Sequence, residues 1–229
     1  MAAVAFDDAV SGGGGDRPGC ITSHVVGGSV ESYRYYVSRR TVMEMLSDRG
    51  YNVPDSDLTR SLTEFRTVFG QNPDLERLRI CVSLRSNPKK KIMVIFCGTD
   101  EIRKATVCGI YANLLYKESI SGLMLVLQSK INSYAQKELE TYPYKVEIFQ
   151  ISELLVNITK HVLQPKHEIL TAEEKKVLLR KYNLEEKKLP LMLETDAFAR
   201  YYGLEKGQVV KITYHGGVVG ALKTYRCIV

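Results

Sequence analysis

Two almost unbroken apolar runs constrain this chain more than any other feature: Ile92-Met93-Val94-Ile95-Phe96-Cys97 and Leu123-Met124-Leu125-Val126-Leu127. A strand with one face in water alternates polar and apolar residues, whereas a strand lacking that alternation is buried on both faces. Such strands need helices on both sides of their sheet. Helical stretches are expected over about Glu101 to Tyr116 and Ser133 to Glu140, and a further strand over Tyr144 to Phe149. Leu78 to Leu84 alternates and reads as a strand ahead of the first run, with Asn87-Pro88 and the lysines after it in a hairpin-like turn. Glu153 to Asn157 reads as a last short helical or irregular piece. Strand, helix, strand, helix, strand implies right-handed crossovers and a mixed, largely parallel sheet.

The sequence before these runs supplies two amphipathic helices. Tyr36, Arg40, Met43 and Leu46 recur at helical spacing up to Gly50, and Pro54 to Asp57 reads as a turn. Ser61-Leu62-Thr63-Glu64 is a capping box, after which Phe65 and Phe69 share a face until Gly70. Residues 1–30 differ in kind. They hold a four-glycine run and few large apolar groups, which predicts a disordered extension.

The pattern changes again around Lys160 to Ile169, where His161, Gln164, Pro165, Lys166 and His167 make a polar connector. A second unit follows. Thr171 to Glu174 is another capping box, opening a helix with Val177, Leu178 and Tyr182 inward. Asp196 caps a short helix, Ala197 to Tyr202, ended by Gly203; strands are expected over Gln208 to Tyr214 and Leu222 to Ile228, joined through Gly216-Gly217. The division is therefore 1–30 extension, 31–160 α/β domain and 161–229 α+β domain. At roughly 65 residues the second domain is marginal alone and is expected to rest on a partner surface.

Composition excludes several classes. With 45% hydrophobic and 25% charged residues the chain can build a core. No apolar run approaches the roughly 18 residues of a membrane helix, and the first residues lack the basic start of a secretory signal, so an intracellular protein is expected. Five scattered cysteines, without a C-x-x-C pair, predict neither a disulfide framework nor a zinc site, with Cys81 and Cys97 as small buried hydrophobes. A net charge of +6 suits a nucleic-acid neighbour or an acidic partner.

Catalytic chemistry is hard to find. No phosphate-binding loop or nucleophile elbow occurs, and His161 and His167 are expected to be solvated linker residues. A metal-dependent nuclease would need carboxylates and a lysine near a phosphodiester. Asp100 and Glu147 are candidates, but Glu147 is followed by Ile148-Phe149 rather than the Glu-x-Lys pair, so it reads as an exposed strand residue. No metal, cofactor or small-molecule site is predicted. The better site is the loop Gln128-Ser129-Lys130-Ile131-Asn132-Ser133, which joins a buried strand to a helix start. It gathers backbone amides, a cap residue and a lysine, a geometry that accepts phosphate without reading bases.

One stretch is more specific. His167-Glu168-Ile169-Leu170-Thr171, Glu173-Glu174-Lys175, Leu189-Pro190, Asp196, Ala199-Arg200-Tyr201-Tyr202-Gly203-Leu204, Gly207 to Ile212 and Thr224-Tyr225-Arg226 closely resemble the fifth subunit of eukaryotic nuclear DNA-directed RNA polymerases. Arg49-Gly50-Tyr51, Glu64-Phe65, Phe69-Gly70, Val126-Leu127-Gln128 and Leu154 to Ile158 extend the resemblance over about Tyr33 to Val229. It implies a nuclear, non-catalytic subunit with a jaw domain near downstream duplex DNA and an assembly domain docked on the largest subunit, among other core subunits. It implies nucleic-acid contact at Ser129, Lys130, Asn132 and Ser133. It implies partner contact at Arg200, Tyr201, Tyr202, Gln208, Val210, Lys211, Tyr225 and Arg226. The chain departs from common members in having Asn132-Ser133-Tyr134-Ala135 for Thr-Pro-Ser-Ala, Leu191 after Pro190, and Thr213 to Gly217 after the Val-Val-Lys-Ile strand. These departures are similar to the divergent form in plant RNA polymerase V, which serves RNA-directed DNA methylation; the alternative is the subunit shared by polymerases I, II and III.

Overall fold

The computed structural model describes residues 29–115, 120–214 and 222–229. Residues 1–28 of the glycine-rich extension, Tyr116 and the Gly216-Gly217 turn lie outside them; Val30, expected within the extension, instead opens the first helix, capped by Ser29. The elements of the first body are α1 (Val30–Asp48), α2 (Asp55–Thr59), α3 (Leu62–Phe69), β1 (Ile80–Leu84), β2 (Asn87–Phe96), α4 (Lys104–Leu115), β3 (Gly122–Leu127), α5 (Ser133–Glu140) and β4 (Lys145–Gln150). The sheet runs β1-β2-β3-β4, with β1 antiparallel to β2 and the rest parallel. Both apolar runs occupy its centre. Successive side chains point to opposite faces, so Ile92, Val94, Phe96, Met124 and Val126 meet α1 and α3, while Ile95, Cys97, Leu123, Leu125 and Leu127 meet α4 and α5.

The helices in front of the sheet differ from expectation in detail. On α1 the buried set is Ser32, Tyr35, Ser38, Arg39, Thr41, Val42, Met43, Met45 and Leu46, while Tyr36 is half-buried and Arg40 exposed. The helix is covered by the sheet on one side and by α2 and α3 on another, so its buried arc is wider than a single stripe. The expected turn at Pro54 continues into α2, with Asp55 and Asp57 in a first turn whose dipole favours them. The Ser61–Glu64 capping box forms, and the Phe65 and Phe69 rings lie 4.7 Å apart. Asn87 pairs with Leu84, so the chain reverses at Arg85-Ser86 and the lysines run along the exposed start of β2. Cys97 is buried, but Cys81 faces outward between Ile80 and Val82.

Two short 3-10 turns, Ile151–Leu154 and Ile158–Lys160, lead to the second sheet. Its elements are β5 (Lys166–Ile169), α6 (Ala172–Tyr182), β6 (Leu191–Met192), α7 (Ala197–Tyr202), β7 (Val209–Tyr214) and β8 (Leu222–Ile228), in strand order β5-β7-β8-β6. β7 pairs antiparallel with β5 and β8, and β6 pairs parallel with β8. α7 covers Val210, Ile212 and Ile228 on one face, and α6 covers Val209 and Cys227 on the other. Sequence periodicity did not reveal β5, which lies within the expected polar connector. On α6 only Leu178 is buried, while Val177 is 65% and Tyr182 52% exposed. Neighbouring residues on a helix stand about 100° apart, so Val177 cannot share the small core that Leu178 enters.

Candidate nucleic-acid and partner interfaces

The first candidate site lies beyond the C-terminal ends of the parallel strands, where the loops after β2 and β3 meet. Ile102 and Ile131 form a parallel bridge. The Ile102 amide donates to the Lys130 carbonyl at 3.4 Å, and the Asn132 amide to the Ile102 carbonyl at 3.1 Å. Ser129 Oγ donates to the Asp100 carbonyl at 2.5 Å. At the start of α5, the Asn132 side-chain oxygen accepts from the Tyr134 amide at 2.9 Å. The structure therefore brings Ser129, Lys130, Asn132 and Ser133 onto one braced loop, with unequal tasks. Ser129 and Asn132 hold the loop's shape, whereas Lys130 and Ser133 are exposed. With Tyr134 occupied by the cap and Ala135 fully buried, the exposed Ser133 carries the first-turn amide that faces outward. Tyr134 is 72% exposed beside them.

A second set of polar groups lies where the two sheets' units meet. Arg49, 6% exposed at its side chain, makes four hydrogen bonds. Its Nη1 and Nη2 donate to both carboxylate oxygens of Glu147 at 3.1 and 2.7 Å. Nε donates to the Tyr201 carbonyl at 2.8 Å and Nη2 to the Arg200 carbonyl at 2.6 Å. One fork thus pairs a carboxylate on β4 and satisfies carbonyls in the last turn of α7. Gly203 then takes a left-handed conformation at φ 64°, and a Cβ there would meet the Arg49 guanidinium at 3.1 Å. Arg200 reaches back, donating to the Ile148 carbonyl at 2.6 Å and to Glu153 at 2.6 and 3.2 Å, with its guanidinium 4.5 Å from the Phe149 ring centroid.

The Tyr201 hydroxyl, 3% exposed as a residue, donates to Asp48 at 2.8 Å and accepts from Asn157 at 3.2 Å. Asn157 also donates to Glu44 at 2.7 Å, and Lys160 pairs with Glu44 at 2.6 Å. Burial and the hydrogen bond to Asp48 push the Tyr201 hydroxyl's pKa far up. Burial alone would raise the Glu44 carboxyl, but the hydrogen bonds from Lys160 and Asn157 outweigh it and hold it below the usual range. Burial likewise opposes Glu153, and the Arg200 bond carries it below.

These placements correct two expectations. Glu147 is no exposed strand residue: it is enclosed by the Arg49 fork. His167 is no solvated linker residue: its ring stacks on Phe198 with centroids 3.6 Å apart, and burial depresses its pKa. His161 is exposed. Among the described residues, no group of three or more His, Cys, Asp or Glu is placed to hold a metal ion.

The eight expected partner residues divide in the same way. Arg200, Tyr201 and Tyr202 are engaged at the junction between units, and Val210 is fully buried under α7. Gln208 is exposed, and Lys211, Tyr225 and Arg226 are half-exposed on β7 and β8. Lys211 pairs with Glu168, as does Lys166; these hydrogen bonds depress the Glu168 carboxyl to about 2. Arg49, Asp48, Glu44 and Asn157 escaped sequence reasoning as a site because most of their partners lie about 100 or more positions away.

Comparison with known proteins follows the same two units. A family profile described as RNA polymerase Rpb5, N-terminal domain, matches residues 29–114, and one described as RNA polymerase Rpb5, C-terminal domain, matches residues 156–228. The chain is 54% identical over 214 residues to DNA-directed RNA polymerase V subunit 5C of Arabidopsis thaliana, covering 93% of this chain and 92% of that protein. It is 49% identical over 200 residues to the DNA-directed RNA polymerases IV and V subunit 5B of the same plant, covering 87% and 92%. It is 36% identical over 207 residues to DNA-directed RNA polymerases I, II, and III subunit RPABC1 of Caenorhabditis briggsae, covering 87% and 98%.

Proposed function

Because the chain belongs to the RNA polymerase Rpb5 family, whose members are non-catalytic polymerase subunits, we propose that it is the fifth subunit of a plant RNA polymerase V. In that role it works in the nucleus, in noncoding transcription for RNA-directed DNA methylation. The observation that carries this assignment is the gradient of identity: 54% to a polymerase V subunit against 36% to a subunit shared by polymerases I, II and III.

Within the assembly, residues 31–160 act as a jaw domain and 161–229 as an assembly domain docked on the largest subunit. The loop of Ser129, Lys130, Asn132 and Ser133 lies near downstream duplex DNA. What supports this is its rigid bracing by the Ile102–Ile131 bridge, an exposed lysine and a helix start at the exposed Ser133. Such groups hold a phosphate backbone in register without sequence preference. Lys211 and Tyr225 offer a docking surface on the α6 side of the second sheet, with the exposed Gln208 just before β7; Arg226 lies with Val210 on the opposite face, and Arg200, Tyr201 and Tyr202 hold the second unit against the first. The experiment is a pull-down of the tagged chain from plant nuclei followed by mass spectrometry. Recovery of the polymerase V largest subunit is expected, and recovery of the polymerase II largest subunit alone would reject the assignment.

A further inference from the structure

A cavity of about 350 Å³ opens between the last turn of α5 and the outer strand β4. Leu139, Val146 and Ile148 line it with apolar surface, beside the rings of Tyr142 and Tyr144. The two ring centroids lie 5.8 Å apart, with their planes inclined at 50°. Tyr142 is held in place in two ways: the Tyr111 ring stacks on it at 4.3 Å, and its hydroxyl donates to the Val107 carbonyl at 3.3 Å.

The one charged side chain in this lining is Glu140. It is exposed and makes no ion pair with any described residue. It also ends α5, where the helix dipole adds partial negative charge. Lys137 belongs to the same turn but does not line the cavity. β4 ends the first sheet, and Arg200 donates to the Ile148 carbonyl, so that carbonyl points away from β3. Backbone direction alternates along a strand, so the N–H and C=O of Val146 point the same way. No described strand pairs with them.

We propose that this cavity binds a methylated lysine side chain carried on an extended segment of a partner polypeptide. A methylated ammonium is a cation with an apolar surface. Aromatic rings attract such a cation within about 6 Å of their centroids, and rings this close together can share one. Its methyl groups suit Leu139, Val146 and Ile148, and Glu140 supplies the opposite charge. An unmethylated ammonium is strongly hydrated, and a single carboxylate cannot replace the water around its N–H groups. The free edge of β4 offers main-chain pairing to the segment that carries the lysine, which a small free cation does not use. The site goes beyond the function proposed above and does not depend on it.

The test titrates the full chain with a glycine-serine peptide bearing one central trimethyllysine, read by calorimetry and by the ring resonances of Tyr142 and Tyr144. The comparisons are the same peptide with lysine, the same peptide with the uncharged tert-butyl isostere, and tetramethylammonium ion. The trimethyllysine peptide is expected to bind with a dissociation constant of roughly 0.1–1 mM. Each comparison should bind at least about fivefold more weakly, for want of one modest contribution. Tyr144→Leu should weaken peptide binding about tenfold, whereas Tyr144→Phe, which keeps the ring, should retain it. Glu140 is exposed, so Glu140→Gln keeps the test decisive if Tyr144→Leu disturbs folding; it should weaken binding about threefold at low salt. Absence of saturable binding, equal binding of the uncharged isostere or of tetramethylammonium, or insensitivity to Glu140→Gln would overturn the proposal.

Discussion

Arg49 shows how one side chain joins two folding units. It is nearly enclosed and directs four hydrogen bonds to Glu147 and to the end of α7. Removing one partner of a buried pair strands the other charge, so Arg49→Met should lower unfolding free energy by about 3–5 kcal/mol, read from the urea midpoint. Gly203→Ala puts a side chain into a left-handed conformation and against the same guanidinium, and it should cost at least about 1–2 kcal/mol in that assay. Cysteines report burial chemically. Burial pushes the Cys97 thiol up to about 11, whereas Cys81 is exposed on β1. Iodoacetamide at neutral pH should therefore modify Cys81 in the native chain and Cys97 only on unfolding, as mapped by mass spectrometry. At this scale sequence reasoning was weakest. Nothing in the neighbourhood of Glu147 signals an arginine 98 positions earlier, so it read as a solvated strand residue.

Elements were more legible, because their signals are local. The capping boxes at Ser61 and Thr171 and the cap at Asp196 all form where the residues predict them. Thr171→Ala should cost about 1 kcal/mol, visible as a lowered thermal midpoint, since α6 then has a first-turn amide without its acceptor. The paired apolar runs likewise became central strands. The missed strands were β5 and β6, beside the helix α2 that read as a turn. β5 is short and half-exposed, and β6 has two residues; both exist as strands only because β7 and β8 supply the partners. The loop before α5 is also an element-scale device, rigid through Ile102 and Ile131. Replacing Lys130 with alanine should weaken duplex binding by the assembled polymerase slightly, and should lower the salt slope by about 0.9 for each phosphate that this lysine neutralises. A slope that stays the same would remove this lysine from the DNA path.

At the scale of the whole molecule, the second unit leans on the first through a largely polar junction, with the Tyr201 ring set into the first unit's core. Tyr201 with Asp48 and Asn157, Arg49 with the Arg200 and Tyr201 carbonyls, and Arg200 with Ile148 and Glu153 make most of it, while Lys160 and Asn157 hold Glu44 beside them. Glu44 and Glu153 have folded pKa values below their unfolded range near about 4.3. The native state then binds fewer protons, so their contribution is complete above that value and is lost as pH falls through the folded values. The urea midpoint should decline from about pH 5 downward, and Glu44→Gln with Glu153→Gln should flatten that decline. The two-sided burial of the central strands, the helix starts and the family were all readable from the linear order of residues. Those properties depend on neighbours a few positions apart, or on motifs carried whole. Pairings across a hundred residues are different. Which arginine holds Glu147, which face of α6 is covered, and where Tyr201 points were settled only when the chain closed on itself. Such contacts depend on distances in space, which local composition does not encode.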